Sequence, residues 1–274
     1  MQTKQKLNVH LLKLAREYRN HIIDMIYWAK AGHPGGSLSA IDIMAYIFET
    51  DIDLSCKERS RFVMSKGHAV PALYAILCEK GVIDIKELKT FRKINSRLQG
   101  HPHVATIPET DASTGLLGQG LSIGVGMALG KRLKNSRKNV YVLAGDGELH
   151  EGQMWEALMG ASHYALDNLY LIVDHNKLSS KADLSEVMNI EPLADKIRAF
   201  NWHIEETDGH DFDRIADCFE RCAQIQNKPK CIIAHTVKGK GVSYMENNPK
   251  WHSKAPGDEE YALAKKELGG EMYG

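Results

Sequence analysis

Long apolar runs are missing from this chain, and so is any excess of charge of one sign. No stretch reaches transmembrane length and no apolar core follows the first methionine, so neither membrane insertion nor export has support. The 35 basic residues balance 35 acidic ones without a basic stripe, which makes nucleic acid a poor partner. Cysteine is scarce. The five present, Cys56, Cys78, Cys218, Cys222 and Cys231, are an odd number without CxxC spacing, pointing to neither a disulfide framework nor a zinc site. Cys218 and Cys222, four apart on an expected helix, read as buried thiols. No internal repeat, low-complexity segment or Pro/Ser-rich linker divides the chain. No GxGxxG follows the first expected strand, which argues against a dinucleotide site. These absences leave a soluble chain in a reducing, cytoplasmic setting, with 274 residues to fill one α/β domain or two small ones.

What is present is an alternation of helical periodicity and short apolar runs. A long helix is expected over 7–29, with His-Pro-Gly-Gly breaking it before helical spacing resumes over 39–48. Strands are expected at 61–64, 140–144, 169–173, 202–206 and 230–235. Helices are expected over 119–133 and near 151–165, 192–200 and 211–225, with a short charged helix in the tail. That order implies a doubly wound, mostly parallel α/β sheet with helices on both faces, whose ligands bind outside the carboxyl ends of the strands.

The most informative segment lies at one such end. Tyr141 to Gly147 is an apolar run closing on Gly145-Asp146-Gly147, and a helical pattern follows. The glycines allow backbone to approach a phosphate, and the start of the next helix favours an anion. Asp146 offers a hard carboxylate oxygen. The run Leu169 to Leu178 ends in Asp174-His175-Asn176, which brings the Asn176 amide oxygen to the same edge. Mg²⁺ commonly takes one or two protein side chains and fills its octahedron with phosphate and water oxygens. Asp146, Asn176 and the Leu178 carbonyl fit that pattern. Among the 13 histidines, His33, His68, His101 and His252 stand beside glycine, proline or serine in expected loops, where an imidazole can reach a substrate hydroxyl and move protons near neutral pH.

With 28 residues between Gly147 and Asn176, the segment resembles the diphosphate motif of thiamine diphosphate enzymes. The chain more specifically resembles the N-terminal half of a transketolase. The resemblance rests on ordered segments along nearly its whole length: AGHPGGSLSAIDI, RFVMSKGHAVPALYA, LQGHP, STGLLGQGLSIGVGMA, AGDGELHEGQMWEA, VDHNKL, EPLADKIRAF and WHSKAP. It implies one thiamine diphosphate and Mg²⁺-binding domain over 1–274, with Ca²⁺ or Mn²⁺ as possible substitutes, in a cytoplasmic enzyme. The expected reaction moves a two-carbon ketol unit from a ketose, or ketose phosphate, to an aldose acceptor.

Carried over residue by residue, the resemblance implies that His68, Gly115, Leu116 and Leu117 line the diphosphate and thiazolium side of the cofactor. Gly147 and Asn176 would contact diphosphate, with Asp146, Asn176 and the Leu178 carbonyl on the metal. His33, His101 and His252 would face the ketose donor, His252 also approaching the cofactor. Glu151 and Glu156 resemble acidic residues that link paired active sites across a subunit interface. The family's pyrimidine-binding domain, with its catalytic glutamate and sugar-phosphate site, has no counterpart here. The resemblance therefore implies that a separate C-terminal subunit completes the enzyme, in an α₂β₂ heterotetramer.

Three departures bear on specificity. Leu116 stands where the family has proline, Ser179-Ser180-Lys181-Ala182 replaces a glutamine and an Asp-Gly turn, and Ser253 replaces a glycine. Two other readings carry weight: a related thiamine diphosphate enzyme using a 2-oxo acid or specialised-metabolite donor, and a noncatalytic scaffold or regulatory subunit.

Overall fold

Within each central strand the side chains alternate between two separate cores. Tyr141 and Leu143, Tyr170 and Ile172, and Ile232 and Ala234 enter one, while Val140, Val142 and Ala144, Leu169, Leu171 and Val173, and Cys231 and Ile233 enter the other. A strand buried on both faces reads as a continuous apolar run, which is why these segments are visible in sequence. In the computed structural model, which describes residues 2–180 and 182–271, they form one all-parallel sheet. Its strands are β1 (Arg61–Met64), β2 (Val140–Gly145), β3 (Leu169–His175), β4 (His203–Asp208) and β5 (Lys230–His235), in spatial order β1-β2-β3-β5-β4.

The helices are α1 (Gln2–Ala29), α2 (Pro34–Thr50), α3 (Val70–Glu79), α4 (Gln119–Leu133), α5 (Gly152–His163), α6 (Leu184–Met188), α7 (Leu193–Ala199), α8 (Phe212–Ala223) and α9 (Asp258–Glu267). Strand order dictates their sides. Steps from β1 to β2, β2 to β3 and β3 to β4 all run the same way across the sheet, so right-handed crossovers put α4, α5 and α7 on one face. The step back from β4 to β5 puts α8 on the other, where α1, α2, α3 and α9 also pack. The expected doubly wound sheet with two helical layers is what forms.

Several boundaries differ from expectation. The first helix begins at Gln2 and not at 7, and α2 starts at Pro34 itself, so Gly35 and Gly36 belong to its first turn. Proline suits a first helical position because the amide it lacks has no helical partner there. The α3 helix, VPALYAILCE, is buried through eight successive residues and so shows no amphipathic period to read. The fourth strand runs from His203 to Asp208, one or two residues later than expected, because Trp202 instead turns in to donate its indole N–H to the Leu158 carbonyl at 3.0 Å. Cys218 and Cys222 are buried on α8. Among the described residues no helix is long and apolar enough to cross a membrane. Met1, Lys181 and residues 272–274 of the tail lie outside the described residues.

Candidate active site

All strands run parallel, so the turns leaving β1, β2, β3 and β5 emerge along one edge of the sheet. Together with the loop before α2, the 115–118 loop before α4 and the 249–252 turn, they enclose a cavity of about 600 Å³. Close backbone approach shapes it. A Cβ on Gly35 would sit 3.0 Å from both the Lys238 side chain and the Trp251 carbonyl, so the start of α2 lies directly against the segments carrying Lys238 and His252. Gly115 has φ +151, and a Cβ there would come within 3.1 Å of the His101 ring. That combination favours glycine.

One side of the cavity is made by the strand ends. After β2, Asp146 is buried and accepts the N–H groups of Gly147 (2.7 Å) and Lys177 (2.6 Å). Burial, with the nearby Asp174 charge adding to it, pushes its pKa up to about 6. A carboxylate so short of positive charge is suited to a cation. After β3, Asn176 Oδ1 accepts the Leu178 N–H at 3.2 Å, and its Nδ2 donates to Asp174 at 3.2 Å. The Leu178 carbonyl accepts a hydrogen bond from Lys238 Nζ at 2.8 Å, and the Ser179 carbonyl another at 2.8 Å. Among the described residues no cluster of three or more His, Cys, Asp and Glu side chains could hold a metal alone. One carboxylate, one amide oxygen and one carbonyl make a partial set, which suits Mg²⁺ shared with a phosphate-bearing ligand. Two buried lysines, Lys66 and Lys238, supply positive charge for such a ligand, and burial pushes Lys238 down to about 8.

Histidines make the other side. His33, His68 and His252 form a triangle with ring centroids 5.1, 5.3 and 5.4 Å apart, and His101 lies farther along the same wall. Burial, then the Arg92, His101 and Lys238 charges, pushes His33 down to about 4. Burial, then Lys238, His33 and Lys66, pushes His252 to about 3. Burial, then Lys66, holds His68 well below its ordinary value, and burial with Arg92 lowers His101. All four are neutral imidazoles at pH 7. His33 Nδ1 and His252 Nδ1 are buried without a hydrogen-bond partner, so these two ring nitrogens are not held by the protein as the strand-end groups are.

Of the residues singled out from sequence, His33, His68, His101, His252, Gly115, Leu117, Asp146, Gly147, Asn176 and Leu178 all line this cavity. Leu116 does not: it points outward with 78% of its surface exposed. Glu151 and Glu156 also lie outside the cavity, exposed on the outer side of α5 and its approach. Ser179 and Ser180 line the cavity. Sequence reasoning missed Lys66, Glu148, Asp174 and Lys238, all buried and charged. Glu148 joins two loops, accepting the Ser65 hydroxyl, the Gly118 N–H at 2.8 Å and the Gly145 N–H at 3.1 Å. The signal available for all four was position: each stands at or just beyond the carboxyl end of a strand.

Residues 12–273 match the family described as transketolase, thiamine diphosphate binding domain. A subunit of the apulose-4-phosphate transketolase of Phocaeicola vulgatus is 40% identical over 268 residues, covering 96% of this chain and 95% of its own. The SqwG subunit of a Clostridium 6-deoxy-6-sulfo-D-fructose transketolase is 39% identical over 242 residues, covering 86% of this chain and 88% of its own. Among solved structures, the transketolase from Leishmania mexicana superposes with a TM-score of 0.89 at 31% identity over 95% of this chain. Only 41% of that longer protein is covered.

Proposed function

The chain belongs to the transketolase family, and we propose that it is the thiamine diphosphate- and Mg²⁺-binding subunit of a two-chain, cytoplasmic transketolase. One domain spans 1–274 in this reading. Its partner is a C-terminal transketolase subunit that brings the catalytic glutamate and the sugar-phosphate site, in an α₂β₂ assembly. The names of the two relatives support the partner, since each is one subunit of its enzyme and each matches this chain over nearly its whole length. The observation that carries the reading is the cavity itself, where a buried carboxylate and amide at two strand ends face a triangle of neutral imidazoles.

Thiamine diphosphate, when bound, supplies a thiazolium carbon that acts as a carbanion equivalent toward a ketose carbonyl. Asp146, Asn176 and the Leu178 carbonyl would hold the cation, with Ca²⁺ or Mn²⁺ able to replace Mg²⁺. Gly147 leaves room for the diphosphate, and Lys66 and Lys238 add charge beside it. His68, Gly115 and Leu117 bound the ring side, and Leu116 borders it from outside. His33, His101 and His252 face the sugar. A neutral imidazole accepts a hydroxyl proton as a carbon–carbon bond breaks and returns it when the new bond forms, which is the service ketol transfer asks of them. Burial keeps the His33 and His252 rings neutral at pH 7. Glu151 and Glu156 lie on an exposed face with Met159, where two copies of this chain would meet.

Both relatives' names specify a ketose with an anionic group, a phosphate in one and a sulfonate in the other. A ketose bearing a terminal anion is accordingly the donor class we assign. The test is ketol transfer from such donors, beginning with xylulose 5-phosphate and ribose 5-phosphate as acceptor. This chain is assayed alone and mixed with the C-terminal subunit. Transfer in the mixture alone supports the reading. Robust transfer by the pure chain contradicts the two-chain assignment, and decarboxylation of pyruvate without ketol transfer contradicts the reaction.

A further inference from the structure

Asp174 has no role in the chemistry above, yet side chains from three other segments bordering the cavity, and one from its own, converge on it. It is fully buried. One carboxylate oxygen accepts the Ser39 hydroxyl of α2 at 2.6 Å, the Lys66 ammonium beyond β1, and Asn176 Nδ2 at 3.2 Å. The other accepts the Thr236 hydroxyl beyond β5. Buried carboxylates are usually satisfied by one cation or a helix start. This one also holds the side chain of a neighbouring candidate ligand.

An amide has a donor end and an acceptor end, whereas an ionised carboxylate only accepts. Beside Asp174, therefore, Asn176 has one favourable orientation, with nitrogen toward Asp174 and oxygen turned away. A hard divalent cation takes the oxygen and rejects the nitrogen. We propose that Asp174 is the positioning residue of the cation grip: it commits the Asn176 amide to present oxygen to the metal, and through Lys66 it fixes a positive charge at the phosphate end of the cavity. The proposal rests on the functional reading above. Groups behind a ligand commonly govern metal affinity about 10- to 100-fold, because they set the ligand's orientation before the metal arrives. A carboxylate that served merely as a counter-ion for Lys66 would not need Asn176 as a partner.

Two variants, each reconstituted in the two-chain complex, test this, read by calorimetric titration of Mg²⁺ in the presence of thiamine diphosphate, with the melting temperature of the cofactor-free variant chain recorded beside it. Asp174→Asn is expected to weaken Mg²⁺ binding about 10- to 100-fold. It also strips Lys66 of its buried partner and can cost folding. Asn176→Asp keeps the Lys66–Asp174 pair and offers the metal a full negative charge, yet places two carboxylates where an N–H···O bond stood. Its Mg²⁺ affinity is expected to fall at least about tenfold. A folded Asp174→Asn chain with parental Mg²⁺ affinity, or an Asn176→Asp chain that binds Mg²⁺ as well as the parent, overturns the proposal. Failure of the parent two-chain complex to bind Mg²⁺ with thiamine diphosphate would instead overturn the functional reading on which it rests.

Discussion

At the strand-end side of the cavity the polar side chains are already held by the protein, whereas on the histidine side two buried imidazole nitrogens have no partner. Asp146 takes two backbone N–H groups, Asn176 is bonded at both ends of its amide, and Asp174 receives four donors. His33 Nδ1 and His252 Nδ1 receive none. The first arrangement is paid for during folding and waits in a fixed geometry. The second leaves hydrogen-bonding capacity unused in the fold. In our reading the strand ends bind and the histidines act, and the two sides should therefore fail differently when altered.

The largest expected effect is at Asp146. Asp146→Ala removes the one side-chain carboxylate of the candidate metal set, and Mg²⁺-dependent thiamine diphosphate binding by the two-chain complex should be lost, with activity down by more than about 10³-fold. Next is His33→Ala, for which kcat should fall about 10²- to 10⁴-fold while cofactor affinity stays within a few-fold. His252→Ala should blur the line, lowering both, because that ring also contacts His68 within the cluster beside Lys238. A smaller effect is expected at Gly115. Gly115→Ala forces a side chain into φ +151 and toward the His101 ring, at a cost of about 1–3 kcal/mol visible as a lower melting temperature.

The gentlest test uses pH alone. His33 and His252 titrate near 4 and 3 in the folded chain, against an ordinary value of 6.5 when unfolded. At these two sites the unfolded chain therefore binds more protons than the folded one below about pH 6.5, and their contribution to stability should rise with pH through the window from 4 to 6.5. The histidine contribution is read as the difference in denaturant midpoint between the parent and a variant lacking both rings, followed on acidification across that window. The midpoint of the parent should fall relative to that of a His33→Ala/His252→Ala chain.

Much of the fold is legible in the sequence, and the reason differs by element. The strands at 61–64 and 230–235 and the helix at 119–133 emerge at the expected residues, since buried parallel strands are short apolar runs and α4 begins at a glycine-rich turn. The α3 helix is invisible there because burial on all sides erases its period. Pro34-Gly35-Gly36 reads as a breaker by local rule but opens a helix, with Gly35 needed where α2 packs against Lys238 and the Trp251 backbone. In the site, the Gly-Asp-Gly turn, the Asn176 amide and the loop histidines are legible because their residue types suit exposed chemistry at strand ends. Lys66, Glu148, Asp174 and Lys238 are not. Pattern alone treats a charged residue as solvated, and most of their partners lie 30 to 135 residues away in the chain.

Calorimetric titration of thiamine diphosphate, in Mg²⁺, into the reconstituted two-chain enzyme carrying either Asp146→Ala or His33→Ala tests the division of labour most directly. Lost binding in the first and near-parental affinity in the second, with turnover sharply lowered in both, is the predicted result. Unchanged affinity in the Asp146→Ala enzyme, or loss of binding in the His33→Ala enzyme, would contradict the account.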